Sequence, residues 1–207
     1  MEATETFIQI PLTIDPSTKA VATSDGSLQT DIEELNKMHR ALLSLDTPNQ
    51  VPAPPAPVHP KRTLQINKLK DAGNAALKKS PPQYGEAIKM YDLAIRMASE
   101  RPSWEASGLV REELSILYSN RAQAYMSQQS WVEGAIDAEC SVECKKVGNC
   151  KGWWRRGVCL KEMGRWEEAL EWVRQGLEFE RAGPDKQGVG ELESLQRELA
   201  KIGETKT

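Results

Sequence analysis

The chain has 207 residues, 39% of them hydrophobic and 28% charged, with a formal net charge of −3. That length permits one full domain with its own core plus an appendage, and the negative balance argues against a general polyanion binder. The acidic start MEATETF predicts no secretory signal, and no apolar run approaches the ~18 residues needed to cross a bilayer.

Taken in chain order, FIQIPLTI places Ile8, Ile10, Leu12 and Ile14 at period two, and Pro11 argues for an edge strand. DPST turns the chain and KAVAT returns as a second strand. Thr30 with Glu33 reads as a capping box opening the helix TDIEELNKMHRALLSL, whose apolar stripe is Ile32, Leu35, Met38, Leu42 and Leu45. Two short strands and a helix bury too little to be stable alone. Residues 1–45 therefore either pack on the rest of the chain or dock on another protein. TPNQVPAPPAPVHP follows, with six prolines in residues 48–60, a polyproline-like spacer of ~3.1 Å per residue. Residues 46–63 are the expected linker.

From Leu64 onward the pattern is helical and repeats itself. A small residue recurs in three segments, Gly73, Ala122 and Gly157. A large apolar residue precedes each by four (Leu69, Tyr118, Trp153), and Ala76, Tyr125 and Leu160 follow each by three. Gly134 and Ala169 open a second helix in the later copies, and Ala87 does so in the first after a longer loop. A spacing of 35 residues between Ala122 and Gly157 fits a helix-turn-helix repeat of ~34 residues. The expected fold class is mainly α, with three helix pairs at about 64–99, 114–147 and 150–183. Residues 100–113 read as an insertion of extra helical turns. ELESLQRELAKIG, with Leu192, Leu195 and Leu199 on one side, suits a terminal capping helix; the whole repeat region is 64–202.

The charge is uneven. Residues 61–80 carry Lys61, Arg62, Lys68, Lys70, Lys78 and Lys79 against the single acid Asp71, and residues 145–165 carry seven cations against Glu162. Two compact basic patches in an acidic chain suggest a defined anionic partner better than nucleic acid. In CKGWWRRGVCL, at 100° per residue, Lys151 and Arg155 share one face while Trp153, Gly157 and Leu160 form the opposite one. Trp153 is core; Trp154 stands at the margin, able to support the cations or touch a ligand; Arg156 falls near the buried side and snorkels. The same wheel puts Lys70 and Asn74 on the groove side of the first copy, and Asn120 where Arg155 stands in the third. Three cations and two carboxamides on successive helices can hold a pair of carboxylates. Cys140, Cys144, Cys150 and Cys159 lack zinc spacing, with His39 and His59 remote, and read as reduced packing residues. Acids such as Glu167 and Glu168 come with no nucleophile–base set, so neither an enzyme nor a cofactor is expected.

These repeats resemble the tetratricopeptide family over residues ~64–202. Lys70 and Asn74 in KLKDAGN, Asn120 in YSNR, and Lys151 and Arg155 in KGWWR look like its two-carboxylate clamp. The resemblance implies recognition of the C-terminal EEVD-type tail of cytosolic heat-shock chaperones of the seventy-kilodalton class. STKAVATSDGS before a short helix, and RPSWEA with GLVREEL before the second repeat, are similar to the small peripheral tetratricopeptide subunits of fungal Sec complexes. That similarity implies a small α/β module, residues 1–45, bound to a membrane-anchored partner subunit. It also implies repeats facing the cytosol at the endoplasmic reticulum and post-translational translocation as the process served. A soluble co-chaperone or assembly adaptor using the same clamp is the alternative.

Overall fold

The computed structural model of the chain describes residues 10–45, 59–102 and 104–204. Two compact units are present, Met1–Ala56 with Pro102–Trp104, and Pro57–Arg101 with Glu105–Thr207.

In the first unit, strands β1 (Leu12–Ile14) and β2 (Val21–Thr23) pair antiparallel with Leu12 opposite Thr23. Asp15 closes the turn between them by accepting from the backbone N–H groups of Ser17 (2.9 Å) and Thr18 (2.7 Å). Helix α1 (Gln29–Leu43) holds β2 through the Asn36 carboxamide. Its Oδ1 accepts from Val21 N (2.8 Å), and its Nδ2 donates to Val21 O (2.7 Å). The expected capping box is absent: Thr30 already lies inside α1. The chain enters the helix one turn earlier, through a 3-10 turn at Gly26–Leu28 capped by Asp25, which accepts from Ser27 N. Of the apolar stripe, Ile32 is buried while Leu35 and Met38 stay exposed. Ile8 and most of the proline-rich spacer lie outside the described residues.

Among the described residues the second unit has seven helices: α2 (Pro60–Leu77), α3 (Tyr84–Ser99), α4 (Ser107–Ser127), α5 (Trp131–Cys144), α6 (Cys150–Glu162), α7 (Trp166–Glu180) and α8 (Lys186–Glu204). They form three tetratricopeptide-like pairs and a capping helix. Helix α2 begins at Pro60 rather than Leu64. Proline suits the first helical position, where its missing N–H has no intrahelical partner to lose. In α3 the buried set Ala87, Tyr91, Ala94, Ile95 and Ala98 follows the helical period and faces α2 and α4. The repeated small residues are points of close approach. A Cβ on Gly73 would stand 2.6 Å from Tyr91 Cε1, and one on Gly157 would stand 2.7 Å from Val173 Cγ2.

Among the described residues of the 100–113 insertion, helix begins at Ser107, as added turns at the start of α4. Before it, Arg101 donates to Glu105 (2.5 Å), to Glu113 (3.0 and 3.1 Å) and to Thr63 (2.8 Å). Helix α8 closes the solenoid by burying Val189, Leu192, Leu195 and Leu199 against α6 and α7. Trp153 anchors the same cluster, its ring 4.4 Å from Trp172 and 5.7 Å from Phe179. Among the described residues no helix is long and apolar enough to cross a membrane.

Candidate peptide-binding groove

The first helices of the three pairs, α2, α4 and α6, carry the polar residues singled out in the sequence. Asn74 on α2 and Asn120 on α4 meet directly, Asn120 Nδ2 donating to Asn74 Oδ1 at 3.4 Å. The same oxygen accepts from the Tyr91 hydroxyl of α3 at 2.7 Å. From α6, Arg155 reaches across to α4. Its Nη1 donates to Ser119 Oγ, beside Asn120, and its Nε donates to Gln123 Oε1 at 3.2 Å. Lys151, one turn before Arg155, lines a cavity of about 380 Å³ together with Ser119, Asn120 and the Gly148–Cys150 corner.

Of the five expected residues only Asn74 and Asn120 bond to each other; Arg155 reaches the neighbour of Asn120, and Lys151 shares a cavity wall with Asn120. Lys70 lies one turn before Asn74, but its ammonium turns along its own helix, donating to Asn67 Oδ1 (2.9 Å) with Asp71 at 3.9 Å. Trp154 is half-buried and, with Val158 and Met163, packs against Met126, Ala135 and Cys159. Arg156, on the other side of α6, lies 4.2 Å over the Trp172 ring, paired with Glu139 (2.5 Å) and Glu168 (3.6 Å).

The third helix is set by a polar corner. Asn149 caps α6 by accepting from Gly152 N (3.2 Å), and its Nδ2 donates to Ser141 Oγ (3.0 Å) and Ser115 Oγ (3.3 Å). The buried carboxylate of Glu180 receives the N–H groups of Gly148 (3.0 Å) and Asn149 (2.7 Å). A fully buried acid satisfied by two backbone donors fixes where α6 begins, and so where Lys151 and Arg155 point.

The electrostatics are uneven in an informative way. Arg155 is mostly buried, and among the described residues it has no carboxylate partner; its hydrogen bonds go to neutral oxygens. Burial pushes its guanidinium down to about 10, and nearby Tyr91 counters this only in part. At neutral pH it is a cation without a carboxylate partner among the described residues, while the cavity beside Lys151 is lined also by Glu112 and Asp185. Ser119, Gln123 and Tyr91 were not singled out from the sequence. Ser119 and Gln123 flank Asn120 at i,i+4 spacing on α4, a signal that was there to be used. Among the described residues no group of three or more histidine, cysteine, aspartate and glutamate side chains is placed to hold a metal.

No protein-family model matches the chain. It is 35% identical over 148 residues to the ER protein translocation subcomplex subunit sec67 of Schizosaccharomyces pombe, covering 70% of this chain and 75% of the relative. One chain of the Sec complex from S. cerevisiae superposes with a TM-score of 0.69 at 23% identity, covering 95% of this chain and all of the other. The TPR2B domain of yeast Sti1, in its complex with pHsp70, superposes with a TM-score of 0.56 at 17% identity, over 67% of this chain and 98% of the domain. These two likenesses show the tetratricopeptide fold.

Proposed function

The chain belongs to the family of sec67, the ER protein translocation subcomplex subunit, and on that premise we propose that it is a non-catalytic docking subunit of the post-translational translocation machinery. Its groove grips the free C-terminal tail of a cytosolic heat-shock chaperone of the seventy-kilodalton class. Arg155 carries this reading: a desolvated cation with no carboxylate partner among the described residues, on the same helix as Lys151 and bonded to the neighbour of Asn120, which itself joins Asn74.

A tail ending in aspartate presents two carboxylates at one point, its side chain and its chain end. Asn74 and Asn120 supply amide donors, while Lys151 and Arg155 supply charge. Lys70 completes the set by swinging from Asn67 to the ligand, and Trp154 backs α6 from within. Each charge-assisted bond contributes about 1.5–3 kcal/mol, and ordering a flexible tail offsets much of the sum. The expected affinity is about micromolar, ~8 kcal/mol, which suits reversible delivery. Tethering then works by effective concentration: a client-loaded chaperone held at the channel meets it more often. The chain supplies no bond-making step.

Residues 1–45 form the attachment module, joined by a spacer that ends before Pro60 to the repeats that begin with α2. The module docks on a membrane-anchored subunit and keeps the repeats at the cytosolic face of the endoplasmic reticulum. The exposed apolar side chains of Leu12, Ile14, Leu35 and Met38 support this, since so small a unit otherwise leaves them in water.

Calorimetry tests the groove with a synthetic peptide ending Glu-Glu-Val-Asp. Wild-type protein binds it near micromolar; Lys151→Glu and Arg155→Ala abolish binding with helicity unchanged, and amidating the peptide C-terminus removes most affinity. Unchanged affinity in Arg155→Ala or for the amide overturns the clamp. Deleting residues 1–45 releases the chain from membranes on fractionation; if the full chain is already soluble, the groove belongs to a free co-chaperone instead.

A further inference from the structure

Tyr91 is fully buried on α3, yet its hydroxyl reaches Asn74, a residue of the proposed groove. A buried phenol O–H requires an acceptor, and Asn74 Oδ1 at 2.7 Å provides it. The reach depends on Gly73. Tyr91 Cε1 lies so near the α2 backbone that a Cβ on that glycine would come within 2.6 Å of it. With no side chain there, the ring lies flat on the helix and its hydroxyl meets the next residue along.

The consequence falls on the carboxamide. Asn74 Oδ1 accepts from both Tyr91 and Asn120, which uses the acceptor end of the group. The donor end, Nδ2, has no partner among the described residues and is the end left for a ligand. A carboxylate needs donors, so this orientation is productive and a flipped carboxamide would present an oxygen to an anion.

We infer that Tyr91 is a positioning residue of the groove, its hydroxyl holding the Asn74 carboxamide with the N–H2 group toward an incoming carboxylate. The inference rests on the tail-binding reading for its ligand, while the orientation itself belongs to the free protein. Burial pushes the Tyr91 phenol up to about 12, against the opposing charge of Arg155, so the group remains a donor at every pH at which the protein works.

Tyr91→Phe keeps the ring and deletes the donor. With the peptide ending Glu-Glu-Val-Asp, calorimetry should show binding weakened about three- to tenfold in Tyr91→Phe. The same substitution in an Asn74→Ala background should have no further effect, because the group it orients is gone. Equal weakening in both backgrounds, or none in the wild-type background, overturns the inference. A second readout needs no ligand: the Asn74 side-chain amide resonances of the free protein should shift and exchange faster in Tyr91→Phe, with those of Gln123 unmoved. Unchanged Asn74 resonances also overturn it. Failure of wild-type protein to bind the peptide would sink the proposed function and leave this amide test standing.

Discussion

Arg121 and Arg155 sit on neighbouring helices of the solenoid, both largely buried, and their surroundings could hardly differ more. Arg121 is saturated with charge: Nε and Nη2 grip both oxygens of Asp137 at 2.7 and 2.8 Å, Nη1 reaches Asp92 at 3.1 Å, and Tyr118 and Tyr125 stack on it. Its hydrogen bonds with Asp137 raise its proton affinity. Arg155 has a serine and a glutamine instead, and burial lowers its proton affinity. A buried charge with a bidentate partner ties helices together. A buried charge without one is unstable by itself and gains most from an external anion. The contrast separates a structural arginine from a binding one within a single fold.

Replacing each arginine by methionine, which keeps much of the bulk, should give opposite results. Arg121→Met leaves the Asp137 carboxylate buried and unpaired, so it should destabilise the second unit by about 3 kcal/mol, read as a lowered denaturation midpoint. Arg155→Met removes an uncompensated charge. It should leave stability unchanged or slightly higher while weakening peptide binding at least tenfold, from the loss of about 1.5–3 kcal/mol. If Arg155→Met destabilises as strongly as Arg121→Met, the cation is part of the fold and the distinction fails.

Ser119→Ala sharpens the comparison at smaller scale. Its hydroxyl braces Nη1 of Arg155 and bears no charge, so its loss should let the guanidinium wander and weaken binding about threefold, ~0.7 kcal/mol. Arg121-dependent stability should not move. An effect as large as that of Arg155→Met would mean that Ser119 itself contacts the ligand.

The arginine pair also marks what could be read along the chain. The repeat was legible because close helix packing demands small residues at fixed spacing, and Gly73, Ala122 and Gly157 all prove buried. The groove side of α6 was legible because Trp153 and Leu160 define the opposite face. Local rules failed where two signals competed. Thr30 and Glu33 satisfy the spacing of a capping box, but Asp25 starts the helical path first; Pro60 reads as spacer yet opens α2. Most opaque were contacts across helices. Nothing near Arg155 in sequence says that Gln123 rather than a carboxylate will face it. Such partners depend on distances between elements that the periodicity of one helix does not contain.

The lowered proton affinity of Arg155 makes a subtler difference between the two arginines measurable. In the free protein its value is about 10, so at pH 10 about half the population lacks the charge. A bound carboxylate favours the charged form and raises that value, so the complex holds more protons than the free protein. Binding must then take up protons near pH 10, and affinity must fall as pH rises through that value, by about twofold at pH 10. At pH 7 the guanidinium is charged in both states and its uptake vanishes. Calorimetry in buffers of different ionisation enthalpy reads the uptake directly, and Arg155→Met isolates this residue's share from that of the groove lysines. Arg121, whose proton affinity is raised by a partner of its own, should contribute nothing. If the uptake persists undiminished in Arg155→Met, the anion is held by the lysines alone, and Arg155 is buried for some other reason.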